Sequence, residues 1–172
     1  MRFGFNVSMN SIRAYLDIET TGCSRYSHSL TVIGIAIERQ DMMDVVQLVG
    51  GGITDMALSN ALVGVETLYT YNGHRFDLPF IRHILGIDLE RQIRCRDLMI
   101  DCWKHKLKGG LKAVEQKLGI DRQSKGIDGW MAVRLWWDYI NNRNAAALQT
   151  LLDYNRDDVV NLKTLRLKLG VE

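Results

Sequence analysis

The segment Tyr15-Leu16-Asp17-Ile18-Glu19 places two acidic residues inside an otherwise apolar run, and this pattern restricts the possible folds more than any other in the chain. Successive side chains of a β-strand point to opposite faces. We therefore expect Asp17 and Glu19 on one face of a strand, and Leu16 and Ile18 on the other. Two neighbouring carboxylates in a core strand are costly unless a cation lies between them. The segment thus predicts a strand that carries part of a site for a hard divalent cation with oxygen ligands.

The length and composition of the chain indicate an ordinary folded protein. It has 172 residues, of which 47% are hydrophobic and 24% are charged, and its formal net charge is +2. This length suits a single domain, here expected to span residues 1–172, with a core that needs no covalent cross-links. The small positive charge is compatible with a polyanionic partner but does not require one.

The sequence predicts neither export nor insertion into a membrane. Met1–Asn10 lacks the apolar core and the cleavage site of a signal peptide, and no run approaches the roughly 20 apolar residues of a membrane helix. Cys23, Cys95 and Cys102 are odd in number and contain no CxxC pair, so they predict neither a zinc site nor a disulfide framework. We therefore expect a soluble cytoplasmic protein, with Cys95 and Cys102 as packing residues.

Hydrophobic periodicity predicts strands in the first half of the chain and helices in the second. The predicted strands are approximately Arg13–Glu19, Leu30–Glu38, Val45–Val49, Thr67–Tyr71 and a short one at Ile93–Arg96. The predicted helices are Met56–Val63, Phe76–Leu85, Leu98–Lys106, Leu111–Leu118, Met131–Asn141 and Ala145–Leu169. Because the sequence shows no repeat, low-complexity tract or linker, one sheet covered by helices is the simplest architecture.

Asp77 is a third acid in a position that suits the predicted cation site. It follows a predicted strand and opens a predicted helix, where Pro79 fits the first turn. An ordinary N-cap or first-turn acid occurs in the same position, so the placement alone leaves both interpretations open.

Asp158 is a fourth candidate, and helical phase separates it from its neighbours. At about 100° per residue, Asp158 borders the apolar stripe of the last helix, and Tyr154 lies one turn before it. Asp153 and Asp157 fall on the far side and are expected to be solvated. A border acid such as Asp158 also commonly pairs with a nearby Arg or Lys.

The four acids gain significance if they converge. At 4 Å and an effective dielectric constant of 20, each close pair of carboxylates repels by about 4 kcal/mol. Two Mg²⁺ or Mn²⁺ ions would cancel this charge. Convergence of Asp17, Glu19, Asp77 and Asp158 therefore predicts a two-metal site.

Three motifs in this order resemble those of the DEDD superfamily of 3′–5′ exonucleases, the DnaQ-like proofreading enzymes with a ribonuclease H-like fold. They are Asp17-x-Glu19 followed by Thr20-Thr21-Gly22, then Asn72-Gly73-x-x-Phe76-Asp77, then Tyr154-x-x-x-Asp158. The last motif resembles the tyrosine subtype, because the position five before Asp158, where a histidine would stand, is Asp153. A closer similarity, to the YprB-like branch, rests on Thr70-Tyr71-Asn72-Gly73, Leu111-Lys112-x-Val114-Glu115-x-x-Leu118-Gly119 and Tyr154-Asn155-Arg156-Asp157-Asp158-Val159. Together these similarities cover about Ala14 to Leu165.

The resemblance implies a mixed central sheet of about five strands, flanked by helices. It implies that Asp17, Glu19, Asp77 and Asp158 bind two divalent cations, Mg²⁺ or Mn²⁺, and that Tyr154 positions the attacking water. A tyrosine with its ordinary pKa of about 10 remains protonated near neutral pH, which agrees with positioning rather than with full proton abstraction.

The implied activity is removal of nucleoside monophosphates from the 3′ end of single-stranded or frayed DNA or RNA. A structure-specific endonuclease on the same fold and a non-catalytic nucleic-acid-binding domain are the alternatives. The resemblance also implies that Thr20, Thr21 and Gly22 contact the terminal nucleotide, although an ordinary turn is possible there. Asn72 either contacts substrate or is the first residue of an Asn-Gly turn.

Several other conspicuous side chains have two interpretations each. A basic cluster around a Gly-Gly loop predicts either phosphate contacts or a solvated face; it consists of Lys104, His105, Lys106, Lys108 and Lys112. Helical spacing favours core positions over base stacking for three tryptophans, Trp130, Trp136 and Trp137. Asp97 is expected to cap the helix that follows it rather than to bind metal.

Overall fold

The computed structural model describes residues 11–40 and 42–172, and its centre is one mixed β-sheet. The strands are β1 (Ile12–Thr20), β2 (Leu30–Arg39), β3 (Met42–Val49), β4 (Val65–Thr70) and β5 (Arg94–Asp97). They lie in the order β3-β2-β1-β4-β5. The central strand β1 is antiparallel to β2 and parallel to β4.

Seven α-helices flank the sheet within the described residues. They are α1 (Asp55–Ala61), α2 (Asp77–Leu85), α3 (Leu89–Gln92), α4 (Leu98–Lys104), α5 (Leu111–Leu118), α6 (Gly129–Asn142) and α7 (Ala145–Lys168). The predicted five-stranded mixed sheet flanked by helices is confirmed, and each predicted element overlaps an observed one. The four-residue α3 was not predicted, because one turn is too short to show a helical period.

The two faces of β1 have different partners, as its alternating sequence predicts. Leu16 and Ile18 pack in a cluster that includes Leu58 of α1 and Phe80 of α2. On the opposite face, the Tyr15 ring stacks on Tyr69 of β4 at 5.3 Å between centroids, beneath α7. Asp17 and Glu19 share this second face, and α7 lies over them.

A buried polar network fixes α7 to the sheet two turns beyond Asp158. Tyr15 donates a hydrogen bond to Glu38 Oε2 at 2.6 Å, and Arg166 Nε donates to the Tyr15 hydroxyl at 2.7 Å. Arg166 and Lys163 also pair with the Glu38 carboxylate at 3.3 and 3.1 Å. Because one guanidinium contacts both β1 and β2, the network sets the position of α7 over the sheet.

Replacement of Arg166 by Ala is expected to lower the free energy of unfolding by about 3 kcal/mol, because it leaves a buried carboxylate with one cation fewer. Urea unfolding measures this difference. Arg156→Ala removes an exposed arginine from the same helix and is expected to change stability by no more than about 0.5 kcal/mol. Equal losses in the two variants would contradict an anchoring role for Arg166.

Candidate active site

A pocket of about 330 Å³ at the C-terminal end of β1 collects the four predicted acids. Asp17 and Glu19 project from β1 and Asp158 from α7, and a ligand atom of each lies within 4.8 Å of the others. Asp77, the first residue of α2, lines the same pocket but stands outside this tight cluster. Tyr154 lines it as well, one turn before Asp158.

Asp77 is tied directly to the strand that carries the other acids. Its Oδ1 accepts a hydrogen bond from the backbone N–H of Ile18 at 3.1 Å, between Asp17 and Glu19. The sequence placed it correctly at the start of a helix after a strand. The added contact with Ile18 shows that it belongs to the pocket as well as to the helix end.

Asp97 supports the loop that leads to Asp77. Its carboxylate accepts from the backbone N–H groups of Asn72 at 2.8 Å and of His74 at 3.3 Å, and from Met99 at 3.0 Å. The last bond caps α4, as predicted. The first two fix the turn between β4 and α2.

A second network of hydrogen bonds, which the sequence did not reveal, supports Asp17. Asp17 faces Gly34 of β2, and Gly34 faces Gln47 of β3, so the three form a row across the sheet. Asn155 of α7 lies over this row. It donates to Asp17 Oδ2 at 3.2 Å and to the Asp17 carbonyl oxygen at 3.3 Å, while its own Oδ1 accepts from Gln47 Nε2 at 3.0 Å.

Arg122 contacts the candidate site, although no sequence pattern pointed to it. It pairs with Asp158 through Nη2 and with buried Glu115 through Nη1, the latter at 2.6 Å. Glu115 also accepts from Asn161 at 3.0 Å, which ties α5 to α7. The alternative interpretation of Asp158, as a border acid that pairs with an Arg or Lys, therefore describes one of its contacts. Arg122 itself lies in an aperiodic loop, where no sequence period marks it.

Asp157 corrects one sequence-based expectation. It was predicted to be solvated, yet it is half-buried and accepts from Gln123 N at 2.9 Å, Ser124 N at 2.7 Å and Ser124 Oγ at 2.6 Å. Helical phase identified its face correctly but gave no information about the loop that covers that face. Asp157 fixes the loop that follows Arg122, whereas Asp153 is exposed as predicted.

Burial and mutual repulsion make the ionised acids costly in the folded protein. Burial, followed by the charges of nearby carboxylates, raises the pKa values of Asp17 and Glu19 well above their usual range. Burial also raises the pKa of Asp77 to about 7. The pKa of Asp158 is raised for the same reason, although the Arg122 guanidinium opposes the shift.

These shifts predict that the metal-free protein loses stability as the pH rises. The pKa of Asp77 rises from 3.8 to about 7 on folding, so its contribution is fully present below about pH 4 and is lost as the pH passes through 7. We expect the Tm in EDTA to fall between pH 5 and 8, and divalent cations to restore it most at pH 8. Asp77→Asn, which keeps an acceptor for Ile18, should show a shallower fall. An unchanged slope in that variant would contradict the assignment.

The predicted substrate-binding residues divide into two groups. Thr20, Gly22 and Asn72 line the pocket, and Asn72 has the left-handed backbone (φ 64°) of a turn residue. Thr21 does not line the pocket; its Oγ1 accepts from the backbone N–H of Ser29 at 2.9 Å. The loop is further packed by His28, whose ring leaves no room for a side chain at Gly22.

The three tryptophans that the sequence assigned to the core differ in their exposure. Trp136 is buried, as predicted, but Trp130 and Trp137 are 76% and 44% exposed, so the core prediction was wrong for these two.

Of the basic cluster, only half-buried Lys112 reaches the site, with Nζ 4.4 Å from the Tyr154 ring centroid. The other four basic side chains are exposed. Cys102 is buried and Cys95 half-buried, in agreement with packing roles.

The donor set of the pocket fits a hard divalent cation. Carboxylate oxygens are the ligands that Mg²⁺ and Mn²⁺ prefer. Asp17, Glu19 and Asp158 converge closely enough to share one ion, and their pKa values are raised chiefly by burial, with repulsion between the carboxylates adding to the shifts of Asp17 and Glu19. Across residues 11–40 and 42–172, no helix has the length and apolar character needed to cross a membrane.

Comparisons with known proteins agree with this architecture. A family model described as the RNase_H superfamily matches residues 14–169. The chain is also 29% identical over 171 residues to "Uncharacterized protein YprB" of Bacillus subtilis (strain 168); the match covers 91% of this chain but only 41% of that protein.

Two solved structures share the fold at low sequence identity. The family B DNA polymerase of Pyrobaculum calidifontis has a TM-score of 0.68 and 16% identity over 93% of this chain and 24% of its own. Brucella melitensis NrnC bound to pGG has a TM-score of 0.61 and 22% identity over 92% of this chain and 71% of its own. Because the family model extends from β1 to the end of α7, this chain belongs to the RNase_H superfamily.

Proposed function

We propose that this chain is a metal-dependent 3′–5′ exonuclease of the tyrosine DEDD subtype, in the YprB-like branch, acting in the cytoplasm. It would remove nucleoside monophosphates from the 3′ end of single-stranded or frayed DNA or RNA. The observation that carries the proposal is the meeting of Asp17, Glu19, Asp77, Asp158 and Tyr154 in one pocket. The shared fold with NrnC, whose solved structure holds pGG, supports an oligonucleotide as substrate.

The four carboxylates are proposed to hold two divalent cations, Mg²⁺ or Mn²⁺. When bound, such ions neutralise phosphate charge and lower the pKa of a coordinated water. Hydrogen bonds within the protein orient two of these carboxylates before any metal binds. Asn155 orients Asp17 by donating to its Oδ2, and Ile18 orients Asp77 by donating to its Oδ1. Ligands that are already fixed lose less conformational entropy when they bind a metal ion.

Tyr154 is proposed to orient the attacking water while keeping its own proton. Burial and the neighbouring carboxylates raise the pKa of Tyr154 above its usual range, so its hydroxyl remains a donor at neutral pH. Lys112 and Arg122 add two positive charges beside the pocket. Buried Glu115 balances the Arg122 charge and Asp128 lines the same pocket, so two divalent ions would be needed to offset the four carboxylates before a phosphodiester could enter.

Digestion of 5′-labelled single- and double-stranded DNA and RNA with Mg²⁺ or Mn²⁺ tests the proposal. A ladder that shortens from the 3′ end is expected. A single internal cut would instead indicate a structure-specific endonuclease, and retention of intact oligonucleotide would indicate a non-catalytic binding domain. Either of these results overturns the proposed activity.

Tyr154→Phe is expected to lower turnover by about 10²-fold, the scale of one positioned proton-handling group, while metal affinity changes by less than about twofold. Single-turnover digestion and calorimetric titration with Mn²⁺ measure the two quantities. Equal losses in both would show that Tyr154 shapes the metal site rather than the water.

A further inference from the structure

Helix α6 presents two tryptophans on its solvent side. Trp130 is 76% exposed and Trp137 is 44% exposed. The opposite side of the helix carries Ala132 and Trp136, which are buried against Val32 of the sheet. The buried face of α6 is thus packed without the two outer indoles. Packing among the described residues does not explain why tryptophans stand at these two exposed positions.

The exposed residues form one stripe that mixes aromatic and polar groups. At about 100° per residue, positions 130, 134, 137 and 141 fall within about 60° of one another. Arg134 therefore lies between Trp130 and Trp137, and Asn141 follows them; both polar residues are exposed. Alternation of indoles with a guanidinium is the chemistry that binds bases by stacking and phosphates by charge.

The stripe begins inside the candidate active site. Trp130 and Gly129, at the start of α6, line the same pocket as Asp17 and Tyr154. Trp137 lies seven residues further along, about 10 Å from Trp130 along the helix axis at 1.5 Å per residue. This separation corresponds to about three stacked nucleotides at 3.4 Å each.

We propose that the solvent face of α6, formed by Trp130, Arg134, Trp137 and Asn141, is a binding track for the single-stranded part of the substrate. Trp130 stacks on a base next to the scissile nucleotide, Arg134 pairs with a backbone phosphate, and Trp137 stacks on a base about three nucleotides away. The inference rests on the proposed function, since it takes the pocket to hold a nucleic-acid end. It adds that a single strand at least three to four nucleotides long is the preferred ligand.

The test measures binding rather than cleavage, so that it does not depend on activity. Fluorescence anisotropy with Ca²⁺ in place of Mg²⁺ or Mn²⁺, so that the acidic pocket does not repel the strand, compares a labelled twelve-nucleotide oligothymidylate with a labelled dinucleotide. Stacking is worth about 1–3 kcal/mol per base, or about 5- to 150-fold in affinity. Trp130→Ala is expected to weaken both ligands by this factor, whereas Trp137→Ala should weaken the twelve-mer alone. Trp137→Phe should retain most of the affinity, since it keeps an aromatic face.

Leu167→Ala is the matched control, because Leu167 is a large exposed apolar residue on α7 that does not line the pocket. It should bind both ligands like the parent protein. The track is refuted if the parent fails to bind the twelve-mer or if Trp137→Ala binds it normally. It is also refuted if Trp137→Ala converts a dimer into a monomer with oligonucleotide affinity unchanged, since the face would then join two copies. Normal binding without digestion would contradict the proposed exonuclease but leave the track intact.

Discussion

Asp17→Asn is expected to lower turnover by about a thousandfold or more and, at the same time, to stabilise the metal-free protein at pH 8. A metal ion contributes several kcal/mol of transition-state stabilisation, and each 1.36 kcal/mol is a factor of ten in rate. Ionised Asp17 is also unfavourable in the metal-free protein, because burial and three other acids raise its pKa well above the usual range. The neutral amide removes both the proposed metal ligand and this unfavourable charge.

Asp153→Asn is the matched control, since it makes the same chemical change at an exposed position of α7. It should leave turnover and Tm close to those of the parent protein. Two measurements decide the result: single-turnover digestion with Mn²⁺, and thermal unfolding in EDTA. Full activity of Asp17→Asn would refute the metal assignment. Lost activity without a gain in metal-free stability would instead refute the argument from carboxylate repulsion.

The side-chain placements that the sequence predicted correctly are those that a local period determines. The two-residue period of a strand put Asp17 and Glu19 on one face, and the helical period put Asp158 at the border of the buried face of α7, with Tyr154 one turn before it. These periods act over a few residues and depend little on the rest of the fold.

The parts that were missed depend on packing between distant segments. The row formed by Asp17, Gly34 and Gln47 requires the pairing register of three strands, which the sequence pattern does not specify. Arg122 reaches Asp158 from an aperiodic loop. Asp157 is covered by the loop of Gln123 and Ser124, whose position the helical period does not determine.

The tryptophans of α6 show a further limit of prediction from a helical period. A helical period groups residues by face, but it does not state which face meets the sheet. Trp136 faces the sheet, whereas Trp130 and Trp137 face outward. Large apolar side chains are also common at binding surfaces, so helical spacing alone does not place a tryptophan in the core.

Gly34→Ala is expected to lower the free energy of unfolding by about 3 kcal/mol, or the Tm by roughly 10 °C, and turnover by about 10- to 100-fold. A Cβ at position 34 would lie 2.1 Å from Asn155 Oδ1 and 2.8 Å from its Cγ. Asn155 is fully buried and bonded to Asp17 and Gln47. The methyl group must therefore displace an amide that orients Asp17, a proposed metal ligand, so stability and activity should fall together.

Two further variants isolate this contact. Gly51→Ala adds the same methyl group where nothing lies within 4 Å, and it should change stability by no more than about 0.5 kcal/mol. In the double variant Gly34→Ala/Asn155→Ala the methyl group has room. The losses in unfolding free energy caused by Gly34→Ala and by Asn155→Ala should then be less than additive, by about 1 kcal/mol or more. Turnover should stay low, because Asp17 still lacks its amide donor. Strict additivity in urea unfolding would show that Gly34 matters for a reason other than its contact with Asn155.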